Sequence, residues 1–281
     1  MEQLHQALER FKQQTSGSPG ARSSASGSLG KVPPPIVYSK TKVVECQEDE
    51  LRHRRIIAGF DGGAFVEGYK LLRTQVLHRL RENRWNVLGV TSPNVREGKT
   101  LTAVNLAVTL AMEAAQTVLL VDADLRKPIV HRLFGLDQAK GLADVLMEES
   151  TLEDTLIHPG IGRFVVLPGG RAVPRPAEAL TSPRMAALVE EMKHRYESRI
   201  VVFDLPPVLT CSDVLAFGPL LDAVLLVARE GVTRRRDVEE SIQRLKGAVP
   251  ILGTLLNQVD RGDAREPAAM GHSRHHDGVG D

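Results

Sequence analysis

Five side chains in this sequence have the types and spacing of a metal-assisted phosphoryl-transfer site: Lys99, Thr100, Asp122, Asp124 and Asp204. The first pair stands in LGVTSPNVREGKTLTAVNLA, where an apolar strand runs into a loop, then Gly98-Lys99-Thr100, then an amphipathic stretch. Backbone N–H groups at a helix start and the helix dipole favour an anion, a lysine adds a point charge for the β and γ phosphates, and a threonine hydroxyl can ligate Mg²⁺. The loop is irregular, because the glycine expected five residues before Gly98 is Pro93. The next apolar run ends VLLVDADLRKP, so Asp122 and Asp124 share one side of an extended chain. IVVFDLPP delivers Asp204 behind four apolar residues, in the form of a carboxylate that holds Mg²⁺ directly or through water. Asp122 or Asp124 could also take a proton from an attacking hydroxyl, and transfer to a side chain and hydrolysis both stay open.

These groups need a scaffold that brings strand ends together. Six apolar runs read as strands: 87–91, 118–121, 164–167, 200–203, 223–227 and 251–256. They alternate with helical stretches of ten residues or more, and their apolar character is continuous, which predicts a mostly parallel sheet covered by helices on both faces. The expected fold is therefore an α/β three-layer sandwich of the P-loop NTPase kind, with its ligand crevice at the carboxyl ends of the strands. On the helix after the first strand, Leu101, Val104, Val108, Ala111 and Ala115 form one stripe and predict a single buried face. A second long helix is expected from Phe65 to Arg81, outside the sheet, and the segment EDELRHRRIIAGF is expected to be helical.

The chain's 281 residues, at about 150 per domain, fit one full α/β domain with appendages. The predicted parts are a short amphipathic helix over 1–14, a flexible linker over 15–35, an extension over 36–60, the phosphate-binding domain over 61–260 with its folded part starting near Asp61, and an unstructured tail over 261–281. Lys and Arg number 36 against 35 Asp and Glu, so overall charge gives no argument for nucleic acid or an anionic membrane. The two cysteines, Cys46 and Cys211, make neither a disulfide framework nor a metal cluster. With no run of roughly 18 apolar residues and no secretory leader, a cytoplasmic protein is expected, meeting a membrane only through a partner. Arg234–Arg236 read as a solvated or interface face, with contact to an acidic partner or DNA as the alternative, and His272, His275 and His276 as part of the tail.

Beyond this, the sequence resembles the bacterial tyrosine kinase (BY-kinase) family, cytoplasmic autokinases of capsule and exopolysaccharide assembly related to partitioning ATPases. The resemblance rests on EGYKLLRTQV, VTSPNVREGKTLTAVNLA, VLLVDADLRKP, GLADVL, VLPGGRAVPRPAEALTSPRM, RIVVFDLPPVL, DAVLLVAREGVT and GTLLNQVD, in family order over about residues 65–260. VYSKTKVVE also resembles a subgroup found beside exosortase-type exopolysaccharide clusters. The resemblance implies ATP and Mg²⁺ as cofactors. Arg96, Glu97, Gly98, Lys99, Thr100 and Leu101 would bind nucleotide, with Lys99, Asp122 and Asp124 catalytic and Thr100, Asp124 and Asp204 at the metal. Asn257 resembles the amide that reads adenine, and a turn-forming asparagine is the alternative. Glu67, Lys70 and Arg73 match the family's E-x-x-R-x-x-R subunit-contact motif, with Lys70 for the first arginine. Implied partners are further copies of the chain and a membrane chain-length (co-polymerase) protein.

One difference bears on a rival reading, and two departures from the family pattern matter. Pro93-Asn94 stands where partitioning ATPases carry a lysine, which weighs against a surface-cycling ATPase. Arg96 replaces a loop glycine, so either the backbone approaches phosphate less easily or the guanidinium itself contacts it. The family's tyrosine-rich tail has no counterpart, because the tyrosines are Tyr38, Tyr69 and Tyr196. Tyr38 is the candidate acceptor, and a nucleotide-gated scaffold without kinase activity is the rival to a γ-phosphoryl transfer to tyrosine.

Overall fold

The computed structural model describes residues 41–56, 59, 63–113, 116–137, 139–195 and 198–259. The expected 1–14 helix, the linker, the tail histidines, Tyr38 and Tyr196 lie outside the described residues. Eight strands form one sheet: β1 (Lys42–Val43), β2 (Val87–Thr91), β3 (Thr117–Asp122), β4 (Ile157–His158), β5 (Phe164–Leu167), β6 (Arg199–Asp204), β7 (Ala223–Arg229) and β8 (Ile251–Asn257). Their order is β1-β4-β5-β3-β6-β2-β7-β8, and every neighbouring pair is parallel except β4 with β5. All six expected strands are present, in a mostly parallel sheet. The two-residue strand β4 is additional, being too short to show a period, and the two-residue β1 lies in VYSKTKVVEC, a stretch that reads as extended.

Alternate residues of the strands feed two separate cores, which is why the runs are apolar throughout. In β3, Leu119 and Val121 belong to the core on one face, while Val118 and Leu120 belong to the core on the other. Helix α1 (Glu48–His53), helix α2 (Ala64–Asn83) and helix α3 (Lys99–Ala111) contribute Leu51, Val76, Leu80, Val104 and Val108 to the second core. Helix α4 (Pro183–His194) and helix α5 (Arg235–Leu245) contribute Met185, Leu188, Met192 and Leu245 to the first. Each such leucine or methionine stabilises the fold by about 1.5–3 kcal/mol when fully buried.

Helix α3 corrects the expected single stripe. Thr100 and every residue from Thr102 to Ala111 are buried, whereas Leu101 is only partly so. The helix lies between the sheet and α2, so two neighbours cover it. Ala115, the last residue of that stripe, lies outside the described residues. Helix α1 is shorter than EDELRHRRIIAGF predicts, because the chain turns at Arg55 into the left-handed region with φ of +61°. Leu51 and Ile56 nevertheless pack in the second core, so the packed unit includes residues upstream of Asp61.

Candidate functional site

The sheet register brings the carboxylates together. Asp122 and Asp204 are directly paired residues at the carboxyl ends of adjacent strands β3 and β6, and Val90 of β2 sits opposite Asp204 on its other side. The loop after β2 therefore starts next to both aspartates. It winds through Pro93–Glu97 and enters α3 at Gly98, whose φ is +92°. A Cβ at Gly98 would lie 2.1 Å from Asn257 Nδ2, so only glycine lets the loop pass this close to the end of β8. The first N–H groups of α3 are among the donors that every helix start leaves without an internal partner.

Lys99 Nζ lies 2.9 Å from Asp124 Oδ2 and 3.4 Å from Asp204 Oδ1, and it donates to Thr100 Oγ1 at 3.2 Å. The Thr100 hydroxyl in turn donates to Asp204 Oδ2 at 2.7 Å. Asp122 stands beside this cluster without a direct bond to it. Its Oδ2 accepts the N–H groups of Ile129 and Val130, both at 2.9 Å, and its Oδ1 is buried without a hydrogen-bond partner. Burial and the neighbouring charge of Asp204 push the Asp122 pKa up to about 8, against the opposing pull of the Val130 N–H and Lys99. Burial also raises Asp204, with Lys99 and Thr100 working the other way. Burial alone would lower Lys99, but Asp204 and Asp124 outweigh it and hold the ammonium charged.

The remaining expected residues divide into several situations. Arg96 is exposed and has φ of +63°, a left-handed conformation that glycine adopts freely and arginine does at a cost of about 1–2 kcal/mol. Glu97 turns inward: one carboxylate oxygen accepts the Asn94 N–H at 2.8 Å and the other the Thr233 hydroxyl at 2.6 Å. Asn257 Nδ2 donates to the Glu97 carbonyl at 3.1 Å, which ties the end of β8 to the loop. Leu101 and Asn257 line a largely apolar cavity of 650 Å³ with Phe65, Tyr69, Leu72 and Leu255. Glu67 and Lys70 form an exposed pair at 2.8 Å, whereas Arg73 points at α3, bonding Glu113 at 3.1 Å and the Thr109 carbonyl at 3.4 Å. Tyr69 is buried, and burial pushes its phenol up to about 12.

Sequence reasoning missed one clamp at this edge. Arg126 Nε and Nη2 reach the two carboxylate oxygens of Asp213 at 2.7 and 2.8 Å, joining the segment after β3 to the short helix Asp213–Phe217. The partners stand 87 residues apart, so no local pattern could reveal the pairing. Cys46 and Cys211 are both free thiols, and Arg235 and Arg236 pair with Glu239 and Asp237 on α5.

A family model described as an AAA domain matches residues 96–228, from the phosphate loop through β7. Tyrosine-protein kinase YwqD of Bacillus subtilis (strain 168) is 34% identical over 192 residues, a match covering 68% of this chain and 80% of YwqD. The chain belongs to the bacterial tyrosine-protein kinase family. Within this kinase family, tyrosine-protein kinase etk of Escherichia coli (strain K12) is 36% identical over 195 residues, and the chain spans 26% of that relative's length. The solved kinase domain of Escherichia coli tyrosine kinase ETK superposes with a TM-score of 0.67 at 31% identity, over 84% of this chain and 95% of that domain. The P-loop fold of the family is the fold seen here. Among the described residues no helix is long and apolar enough to cross a membrane.

Proposed function

We propose that this chain is a Mg-ATP-dependent protein-tyrosine kinase of capsule or exopolysaccharide synthesis and export. The observation that carries the reading is the closed set of Lys99, Thr100, Asp124 and Asp204 at the start of α3, with Asp122 beside it. The residues fit a nucleotide with its metal. Gly98 leaves room that a side chain would fill, Asp122 carries a buried oxygen with no partner, and the donor set is the hard oxygen type that Mg²⁺ prefers. Thr100, Asp124 and Asp204 would hold Mg²⁺, which supplies charge neutralisation on the phosphates and orientation of the transferred group.

The chain's own residues divide the remaining work. The N–H groups at the start of α3 bind phosphate oxygens, and Lys99 exchanges its aspartate partners for the β and γ phosphates. The Asn257 amide, at the rim of the apolar cavity, reads the purine, and Phe65, Tyr69 and Leu72 exclude water around it. Asp122 takes the phenol proton as the tyrosine oxygen bonds the γ phosphorus and the bond to the leaving ADP breaks. Its raised proton affinity suits that task. The protein self-associates, with Glu67 and Lys70 on the exposed side of α2, and works at the inner membrane face through a chain-length co-polymerase.

Phosphotyrosine mapping by mass spectrometry, after incubation with Mg-ATP and the cytoplasmic segment of the membrane partner, tests this. Modification lost in both Lys99→Met and Asp122→Asn establishes the kinase. Nucleotide binding without any modification reassigns the chain to a nucleotide-gated scaffold.

A further inference from the structure

A second cavity, of 870 Å³, opens beside the aspartates at the same edge of the sheet. Five cationic side chains line it, Arg126, Lys127, Arg132, Lys140 and Arg171, against the carboxylates Asp137 and Asp144. Some of this charge is already engaged. Asp213 holds Arg126, Glu149 holds Arg171 at 2.5 Å, and Asp144 accepts the Gly141 N–H at 2.8 Å. The exposed side chains of Lys127, Arg132 and Lys140 have no ion-pair partner among the described residues. They remain as positive charge facing solvent.

One wall of this cavity is also a wall of the transfer site. The Lys127 N–H donates to the Asp124 carbonyl at 3.0 Å and lies 3.2 Å from its Oδ1, and the Ile129 N–H bonds Asp122. An acceptor hydroxyl that reaches Asp122 therefore has its flanking residues next to Lys127, Arg132 and Lys140. The lining contains no Phe, Tyr or Trp, and the ring of His131 is buried, so it offers no exposed aromatic platform for nucleobases. Asp137 and Asp144 interrupt the cationic wall, unlike the continuous positive groove that follows a nucleic-acid backbone.

We propose that this cavity binds acidic residues flanking the acceptor tyrosine, so that the preferred substrate is an acidic peptide segment of another protein. The proposal rests on the kinase reading above and names the substrate class of that site. It also disfavours Tyr38, which is followed by Lys40 and Lys42 with no acidic residue before Glu45.

The test uses the full chain and two fluorescent peptides, one with glutamates on both sides of a single tyrosine and one with glutamines in their place. Anisotropy titration at low salt is expected to show the acidic peptide binding roughly tenfold more tightly, the scale of a few exposed ion pairs. The preference is expected to shrink at high salt and to disappear in the Arg132→Gln/Lys140→Gln variant, whose thermal melt confirms that it is folded. Equal binding of the two peptides overturns the proposal, as does a preference that survives in the double variant. Tighter binding of a single-stranded oligonucleotide of equal charge gives the cavity to nucleic acid and also overturns it. Mg-ATP and the cytoplasmic segment of the membrane partner, added to the bound acidic peptide, read the kinase reaction separately. Binding without phosphorylation refutes the kinase reading and leaves the acidic-peptide assignment standing.

Discussion

Replacing Asp122 by asparagine is expected to stabilise the nucleotide-free protein at mildly alkaline pH. The carboxyl titrates near 3.8 when unperturbed and is pushed up to about 8 in the folded chain, chiefly by burial. The folded state thus holds a proton that the unfolded state releases. Stability from this group is complete below about pH 4 and is lost as pH rises towards about 8. At about pH 7 the loss is on the order of 4 kcal/mol, from about 1.4 kcal/mol per pH unit of displacement. Movement of Lys99 towards Asp122 would reduce that figure. The asparagine carbonyl can keep the two bonds from Ile129 and Val130, because these go to a single oxygen, Oδ2. Urea denaturation of both proteins at about pH 5 and about pH 8 gives the comparison. The expected outcome is a gain of about 1 kcal/mol or more for Asp122→Asn at the higher pH and a weaker pH dependence than wild type. A variant that is equally or less stable at about pH 8, with the same slope as wild type, would refute the reasoning, because Asp122 would then carry no raised proton affinity.

Glu97→Gln keeps the side-chain shape but weakens a charged hydrogen bond to the Thr233 hydroxyl, at a cost of about 1–3 kcal/mol. Since this carboxylate shapes the loop from behind, steady-state kinetics should show KM for ATP rising more than kcat falls. Arg126→Ala leaves Asp213, which is fully buried, without its partner. The expected loss is about 2 kcal/mol in chemical denaturation, below the roughly 3–5 kcal/mol of an enclosed pair because the guanidinium is half-exposed. Arg126→Lys should recover less than half of it, as lysine cannot reproduce the two-pronged contact.

What was legible in the sequence depended on how locally each feature is encoded. The six long strands were visible because burial on both faces makes every residue apolar, as Val118 to Val121 illustrate. Lys99, Thr100, Asp124 and Asp204 could be grouped because each ends or follows such a run, and parallel strands bring those ends together. The short strand β4 carries no period and was missed, whereas β1 lies within VYSKTKVVEC, which reads as extended. Arg126 with Asp213, and Glu97 with Thr233, join residues 87 and 136 apart, so only the folded chain shows them. The left-handed backbone at Arg96 was foreshadowed, since the resemblance puts glycine there. The inward turn of Arg73 was not, because helical spacing does not say which side of α2 meets α3.

Helix α3 passes through the interior, with Thr100 and all residues from Thr102 to Ala111 buried between the sheet and α2. From Thr102 onward, its amide protons are hydrogen-bonded within the helix and enclosed by its neighbours, so they reach solvent only when the domain opens. In hydrogen–deuterium exchange they should be among the last to be replaced, at a rate set by opening of the whole unit. The helix that carries Lys99 at its first position is thus anchored through its body on the slowest timescale of the molecule, while Val95 and Arg96 just before it stand exposed to solvent.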